Sequence, residues 1–222
     1  DRFAVVLIND NGPCFDPLSD KYIPGHKRAL NQMIAKFESQ MNIVGVTPDR
    51  NVGLGHARNI AILAAEVVGS KTVSLLDHDD RADPRRVEVI AREFQDPTVG
   101  VIYSNCRVIG QESEAVEPKD IDPDIQLFID LLTEFGPTGF DMWKPIYMTY
   151  RYLTLPSTMT VRTELAAKYP FDGTRVCEDN ITFMKWLADN YQLKFIPELI
   201  ADYRVIVEGK SSASRERFGS FF

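Results

Sequence analysis

The sequence predicts an α/β fold, a mostly parallel sheet flanked by helices in one domain, and three observations lead there. Strand-like and helix-like patterns alternate over the first hundred residues, as they do where helical crossovers join parallel strands. The first apolar run, Ala4 to Ile8, is short, aliphatic and β-branched, and it stops at the turn formers Asn9-Asp10-Asn11-Gly12-Pro13, as a buried strand does. The chain has 222 residues, 44% hydrophobic and 26% charged. That is an ordinary globular composition, and a chain beyond ~150 residues buries about 70% of its unfolded surface, enough for one sizeable core.

Residues 13–25 read as a loop after the first strand. His26 to Gln40 is predicted to be helical from the spacing of Leu30, Met33, Ile34 and Phe37, and Ile43 to Val46 is predicted to be a second strand. After a turn from Pro48 to Gly55, His56 to Val68 places Ile60, Ala61, Ala64 and Val68 on one helical face, with Gly69 beyond its end. A strand, Lys71 to Leu76, follows. Asp83-Pro84 opens the clearest helix: Asp is a good cap, Pro suits the first helical position, and Val87, Ile90, Ala91 and Phe94 form one apolar stripe that ends at Asp96-Pro97. Val99 to Val108 is strand-like. Gln111 to Asp124 carries six acids, one Lys and two prolines, which predicts a solvated, mobile excursion. Ile125, Phe128, Ile129, Leu132 and Phe135 mark a further helix closed by Gly136, and an aromatic, proline-containing stretch runs from there to Pro156. Ser157 to Val161 is expected as a strand, Glu178 to Asn190 as a helix, and Leu193 to Ile196 and Leu199 to Val207 as strands. There is no internal repeat.

Charge and cysteine usage narrow the partners. Lys and Arg total 25 against 32 Asp and Glu, a net charge of -7, so no basic field collects nucleic acid or anionic lipid. A small phosphorylated ligand stays open wherever a metal or a few cations neutralise it. Cys14, Cys106 and Cys177 lie far apart with no CxxC pair, which fits neither a disulfide framework nor a zinc knuckle and points to a reducing compartment. The expectation is a cytoplasmic protein, at most peripheral at the inner membrane face. No apolar run approaches the ~20 residues of a transmembrane segment. The chain opens without a signal-peptide pattern or an initiator Met, and the expectation is a true N-terminus upstream of residue 1.

The sharpest local feature is Val73-Ser74-Leu75-Leu76-Asp77-His78-Asp79-Asp80, a strand that delivers three carboxylates within four residues at its carboxyl end. Like charges so close repel, and a divalent cation held by oxygen ligands, with phosphates completing its shell, is a natural compensation. An acidic turn capping the next helix is the alternative, although Asp83 already serves as that cap. Asp79 to Asp83 also matches the DDxxD pattern of prenyl-diphosphate enzymes, but that pattern rides on helices, and this one follows a strand. Asp77-His78-Asp79 matches the DxD loop of haloacid-dehalogenase-type phosphatases, except that the loop normally follows the first strand and continues with Thr or Val, where Asp80 stands here.

Four segments in order resemble family 2 glycosyltransferases of the GT-A fold. Val5 to Gly12 (VVLINDNG) resembles the strand ending in DDGS, Asn51 to Asn59 (NVGLGHARN) the NxGxxxARN turn and helix, and Leu75 to Pro84 (LLDHDDRADP) the FLDADDxxxP segment. Ser157 to Asp179 (STMTVRTELAAKYPFDGTRVCED) resembles the stretch leading through a Phe-Asp pair to the Glu-Asp of the catalytic helix. The resemblance implies a GT-A domain over residues 1–222, with a nucleotide-sugar-binding half at 1–109 and an acceptor-side half with the catalytic helix at 110–222. It implies that Asp10 contacts the nucleotide base, that Arg58 lines the nucleotide pocket, that Asp77 touches ribose or metal, and that Asp79 binds a Mn²⁺ or Mg²⁺ ion through the donor diphosphate. Asp179, beside Glu178, would be the general base. The implied reaction is an inverting, metal-dependent transfer of a sugar from a nucleotide-diphospho-sugar to a hydroxyl of a carbohydrate, lipid-linked or other acceptor, with no nucleic acid partner. A non-catalytic nucleotide-sugar-binding domain of the same fold is the alternative, and a dehalogenase-type phosphatase a third.

The sequence departs from the family pattern in two places. The family's usual first strand would precede Val5, so it lies upstream of residue 1 or the base pocket is built differently. Where many relatives place a His near the diphosphate, this chain has Tyr203-Arg204-Val205-Ile206, which leaves two readings of Arg204, Lys210, Ser211 and Ser212, as substitutes for its phosphate contacts or as a solvated C-terminal tail. His78 is expected to point outward. Trp143, Tyr147, Tyr150 and Tyr152 fall where such a fold shapes its acceptor site, as sugar-facing rings or as core.

Overall fold

Short aliphatic runs form the strands of the computed structural model, which describes residues 3–10, 26–117, 121, 123–135, 155–173 and 178–205. In chain order the strands are β1 (Ala4–Ile8), β2 (Asn42–Val46), β3 (Thr72–Ser74), β4 (Arg81–Ala82), β5 (Val99–Ser104), β6 (Arg107–Ile109), β7 (Met159–Arg162), β8 (Gln192–Ile196) and β9 (Ala201–Arg204). The helices are α1 (His26–Phe37), α2 (Gly53–Val67), α3 (Arg86–Glu93), α4 (Pro123–Phe135), α5 (Thr163–Lys168) and α6 (Glu178–Leu187). One turn of 3₁₀ helix, Pro156–Thr158, leads into β7.

The strands form three sheets. β1 and β2 pair in parallel, from Ala4 opposite Asn42 to Ile8 opposite Val46. A four-stranded sheet runs β3-β7-β5-β8, and a three-stranded sheet runs β4-β9-β6. The mixed α/β class is as expected, while the pairings described divide evenly between parallel (β1/β2, β5/β8, β6/β9) and antiparallel (β3/β7, β5/β7, β4/β9). The antiparallel members come from β7 and β9, strands of the later chain that insert between earlier ones.

Every residue of β5 is buried, as expected of a strand with neighbours on both edges and helices over its faces. Around it gather Tyr103, Met159, Val161, Leu165, Phe183 and Trp186. The Tyr103 ring lies 5.2 Å from that of Phe195. Each such large side chain contributes roughly 1.5–3 kcal/mol by leaving water. Trp186 of α6 meets Phe171 edge-on at 5.6 Å and donates its indole N–H to the Tyr169 carbonyl at 3.0 Å. The core thereby fixes α6 against the segment after α5.

Several boundaries differ from the sequence reading. The strand expected over Val99 to Val108 is two strands in two sheets, broken at Asn105-Cys106; Asn105 turns its side-chain oxygen onto the Cys106 N–H at 2.8 Å, an amide bond that competes with a ladder. The helix after Asp83 starts two residues later than Pro84, at Arg86, yet the Asp83 carboxylate still accepts the Arg85 N–H at 2.9 Å. α5 was not anticipated, because its six residues give too little periodicity. Residues 111–115 are tied down: Gly110 donates to the Glu114 carbonyl at 2.9 Å, Ile109 bridges to Ala115, and Arg204 reaches the same turn. The excursion expected from the acidity of Gln111 to Asp124 is to that extent a held turn. Trp143, Tyr147, Tyr150, Tyr152, Lys210, Ser211 and Ser212 lie outside the described residues.

Candidate active site

The acidic turn after β3 is held from behind. Leu75 donates its N–H to the Met159 carbonyl at 3.1 Å, Asp77 donates to the Ser157 hydroxyl at 2.9 Å, and Asp80 closes the turn onto the Asp77 carbonyl at 3.1 Å. Asp79 is 55% exposed and His78 is almost wholly so, their side chains 4.0 Å apart. His78 therefore points outward. Asp80 turns inward: burial raises its pKa, opposed by the Ser157 hydroxyl and by the Arg204 N–H, which bonds its carboxylate at 2.8 Å. The three acids thus have three environments despite their adjacency.

Arg58, on the inner face of α2 and 7% exposed, joins two of the sequence motifs. One guanidinium nitrogen donates to Asp77 Oδ1 at 3.0 Å and Oδ2 at 3.4 Å, and the other to Glu178 Oε1 at 3.0 Å. Its face lies 5.3 Å over the Phe171 ring, a cation–π contact that also fixes the plane of the fork. A buried guanidinium needs compensation, and two carboxylates supply it. Burial raises the pKa of Glu178, with the Asp179 charge adding to it. Burial likewise raises that of Asp179, which the Arg58 charge opposes. Glu178 is spent on Arg58, whereas the Asp179 carboxylate accepts main-chain N–H groups at its own helix start, that of Asn180 at 2.8 Å among them.

The turn from Asn51 to Asn59 explains how Arg58 gets there. Gly53 adopts φ +75 and donates its N–H to Asn51 Oδ1 at 3.1 Å, a left-handed position that suits glycine. At Gly55 a Cβ would come within 2.7 Å of the Asp172 carbonyl, so only glycine lets α2 approach that loop. Asn59 then clamps the same loop, donating to the Phe171 carbonyl and accepting its N–H, both at 2.8 Å. Asp10, at the end of β1, lies beside this turn: its carbonyl accepts the Val52 N–H at 3.2 Å and its carboxylate the Asn51 amide at 3.4 Å.

Sequence reasoning named Asp10, Arg58, Asp77, Asp79, Glu178 and Asp179 and missed Arg86, Ser157 and Ser74. Arg86 is 4% exposed and donates to the carbonyls of Leu75, Ser157 and Met159 and to the Ser74 hydroxyl. Burial lowers its pKa to about 10. No motif announces it, since a lone Arg in the first turn of an amphipathic helix looks like any solvated one. No group of three or more His, Cys, Asp or Glu side chains among the described residues is arranged to hold a metal ion. Asp79 keeps an exposed carboxylate, whereas Asp77 is half-buried with both oxygens turned to Arg58, so of the two only Asp79 presents oxygens to solvent, a hard donor of the kind that Mg²⁺ and Mn²⁺ take.

The family profile described as glycosyl transferase family 2 matches residues 25–164. Similar solved structures include TarS of S. aureus, residues 1–349 in complex with UDP-GlcNAc, at 16% identity and a TM-score of 0.62, covering 98% of this chain and 55% of that one. Another is the mannosyltransferase PcManGT of Pyrobaculum calidifontis in complex with GDP-Man and Mn²⁺, at 16% identity and a TM-score of 0.61, covering 93% and 49%. At such identities the likeness shows the fold. The chain spans about half the length of these two structures, and no curated protein matches it.

Proposed function

The chain belongs to glycosyl transferase family 2, and on that premise we propose that it moves a sugar from a nucleotide-diphospho-sugar to an acceptor hydroxyl, with inversion and with a divalent cation. The observation that carries this reading is the Arg58 guanidinium, which joins the acidic turn at Asp77 to the start of α6 at Glu178. One buried cation thereby brings the donor-side and acceptor-side motifs to a single place.

In this reading Asp10 faces the base, and Arg58 sets Asp77 from behind the nucleotide pocket. Asp79, with Asp77, holds Mn²⁺ or Mg²⁺. When bound, the cation supplies positive charge against the departing diphosphate. Asp179 takes the proton of the acceptor hydroxyl as its oxygen bonds the anomeric carbon and the bond to the diphosphate breaks, which inverts that centre. Its burial suits the role, because a carboxylate with a raised pKa is the stronger base. Residues 1–109 supply the donor half and residues 110–222 the acceptor half. The UDP-GlcNAc and GDP-Man in the two similar structures, and the Mn²⁺ in one, support this donor class and cation. No helix among the described residues is long and apolar enough to cross a membrane, and action in the cytoplasm or at its membrane face belongs to the same proposal.

Titration calorimetry with UDP- and GDP-sugars, in Mn²⁺ and in EDTA, tests it on wild type and Asp79→Ala. The expected result is cation-dependent affinity that the substitution abolishes; donor at 100 times its Kd would also stabilise the fold by about 2.7 kcal/mol. Equal affinity in Mn²⁺ and EDTA would remove the metal role. Binding without transfer across a broad acceptor panel would leave a nucleotide-sugar-binding domain.

A further inference from the structure

Arg204 ends β9 beside the acidic turn, where its charge would suit a phosphate. Its bonds point elsewhere. Nε donates to the Asp79 carbonyl at 2.6 Å, Nη1 to the carbonyls of Gly110 and Gln111, both at 2.6 Å, and Nη2 to the Ser113 hydroxyl at 3.0 Å. The main-chain N–H of the same residue donates to Asp80 Oδ1 at 2.8 Å. Four of the five N–H groups a guanidinium carries are thus committed to the protein itself. We propose that Arg204 is a positioning residue: it struts the Asp77–Asp80 turn against the Gly110–Ser113 turn, and so presents Asp79 to the donor, rather than binding the donor's phosphates itself.

A second observation supports the strut. Ser113, at φ 70, is the single non-glycine residue with a positive φ among those described. A left-handed position is strained for an ordinary residue, and here it delivers the hydroxyl that Arg204 Nη2 reaches. The turn is closed by the Ser113 N–H on the Gly110 carbonyl at 3.0 Å. Arg204 therefore holds the main chain of Asp79 and the side chain of Asp80 while the Asp79 carboxylate remains exposed. Planarity matters for this task, because Lys offers a point charge in place of a fork whose fixed directions reach both turns at once.

The inference rests on the proposed donor-side role of Asp79 and Asp77, and its first test does not need that role. Amide hydrogen exchange on the protein without ligand compares wild type, Arg204→Lys and Ser113→Ala. The expected result is that Arg204→Lys exchanges the Asp80 and Ser113 amides faster together, by about tenfold, with β5 unchanged as the folding control; Ser113→Ala gives the same pattern more weakly. Unchanged exchange at both amides would overturn the strut. The second test measures donor KM and kcat in Mn²⁺ for Arg204→Lys and Arg204→Gln. Loss of the strut raises donor KM in both variants, by about tenfold, and moves kcat less. A Lys variant with wild-type KM beside a Gln variant that has lost affinity would assign Arg204 to the phosphates and overturn the proposal. Wild type that binds no nucleotide sugar would bring down the donor reading and the presentation of Asp79 with it, while the exchange result still decides the strut.

Discussion

Two buried arginines flank the acidic turn, and they are compensated in opposite ways. Arg58 is met by carboxylates, Asp77 and Glu178, from two distant segments. Arg86 is met by three carbonyls and a serine hydroxyl. The carbonyls that meet Arg86 neither titrate nor carry net charge, so Arg86 ties the end of β3 to the start of β7 without offering a proton acceptor. The carboxylates on Arg58 neighbour Asp79 and Asp179, the residues to which the proposed function gives the cation and the proton, so on that proposal the Arg58 side is the one that does chemistry. One side of the turn is scaffold and the other is reactive, and substitutions should separate them.

The largest effect expected is on the reactive side. Asp179→Asn keeps the shape and removes the base, so turnover should fall by about 10²–10⁴ with donor affinity nearly unchanged, read by steady-state rates and calorimetry on the same variant. Wild-type turnover in that variant would move the role to another carboxylate. On the scaffold side, Arg86→Met takes a donor from the Leu75 and Ser157 carbonyls, at about 1–3 kcal/mol each, while the Met159 carbonyl keeps the Leu75 N–H, and urea unfolding should show a loss of a few kcal/mol. Should Arg86→Met fold normally and lose only activity, the division between the two sides would collapse. Arg58→Lys sharpens the comparison: a point charge cannot bridge Asp77 and Glu178, and kcat/KM should drop by about tenfold with a smaller cost in stability.

The smallest effect is in pH. Burial raises the pKa of Asp179 above its ordinary value of 3.8, so the acid limb of kcat/KM should lie above that of an exposed Asp. Between the unfolded and the raised folded pKa the native state binds the extra proton, so this group's contribution to stability falls as pH rises through that window. Asp179→Asn should accordingly melt at a higher temperature than wild type near about pH 7, and the gap should close as pH falls below the unfolded pKa. A gap independent of pH would remove the burial account.

Much of this was legible in sequence because it is local. Ala4–Ile8 matches the expected strand residue for residue, since an aliphatic run bounded by turn formers has few other options. The acidic turn stood out by its clustered charge and the α2 segment by its helical spacing, while Arg58 and Glu178 were named through the family resemblance; Asp77, Arg58 and Glu178 converge. Arg86 was not legible, because its partners are backbone carbonyls that any sequence possesses. The same applies to the break at Asn105-Cys106, where one amide side chain ends a run that reads as continuous strand. Nor does periodicity reveal which edge of a sheet a later strand will take, which is why the antiparallel β7 and β9 were not anticipated.

That insertion has a consequence for how the chain is made. β7 lies between β3 and β5, and β9 between β4 and β6. A ribosome that has released the chain only as far as β5 has therefore produced strands whose central partners do not yet exist. Neither sheet can close until residues 159–162 and then 201–204 emerge, and at ~5–20 residues per second that leaves β3 and β5 unpaired for several seconds. Because Arg204 of β9 is among its supports, the acidic turn is the last part of the site to be set.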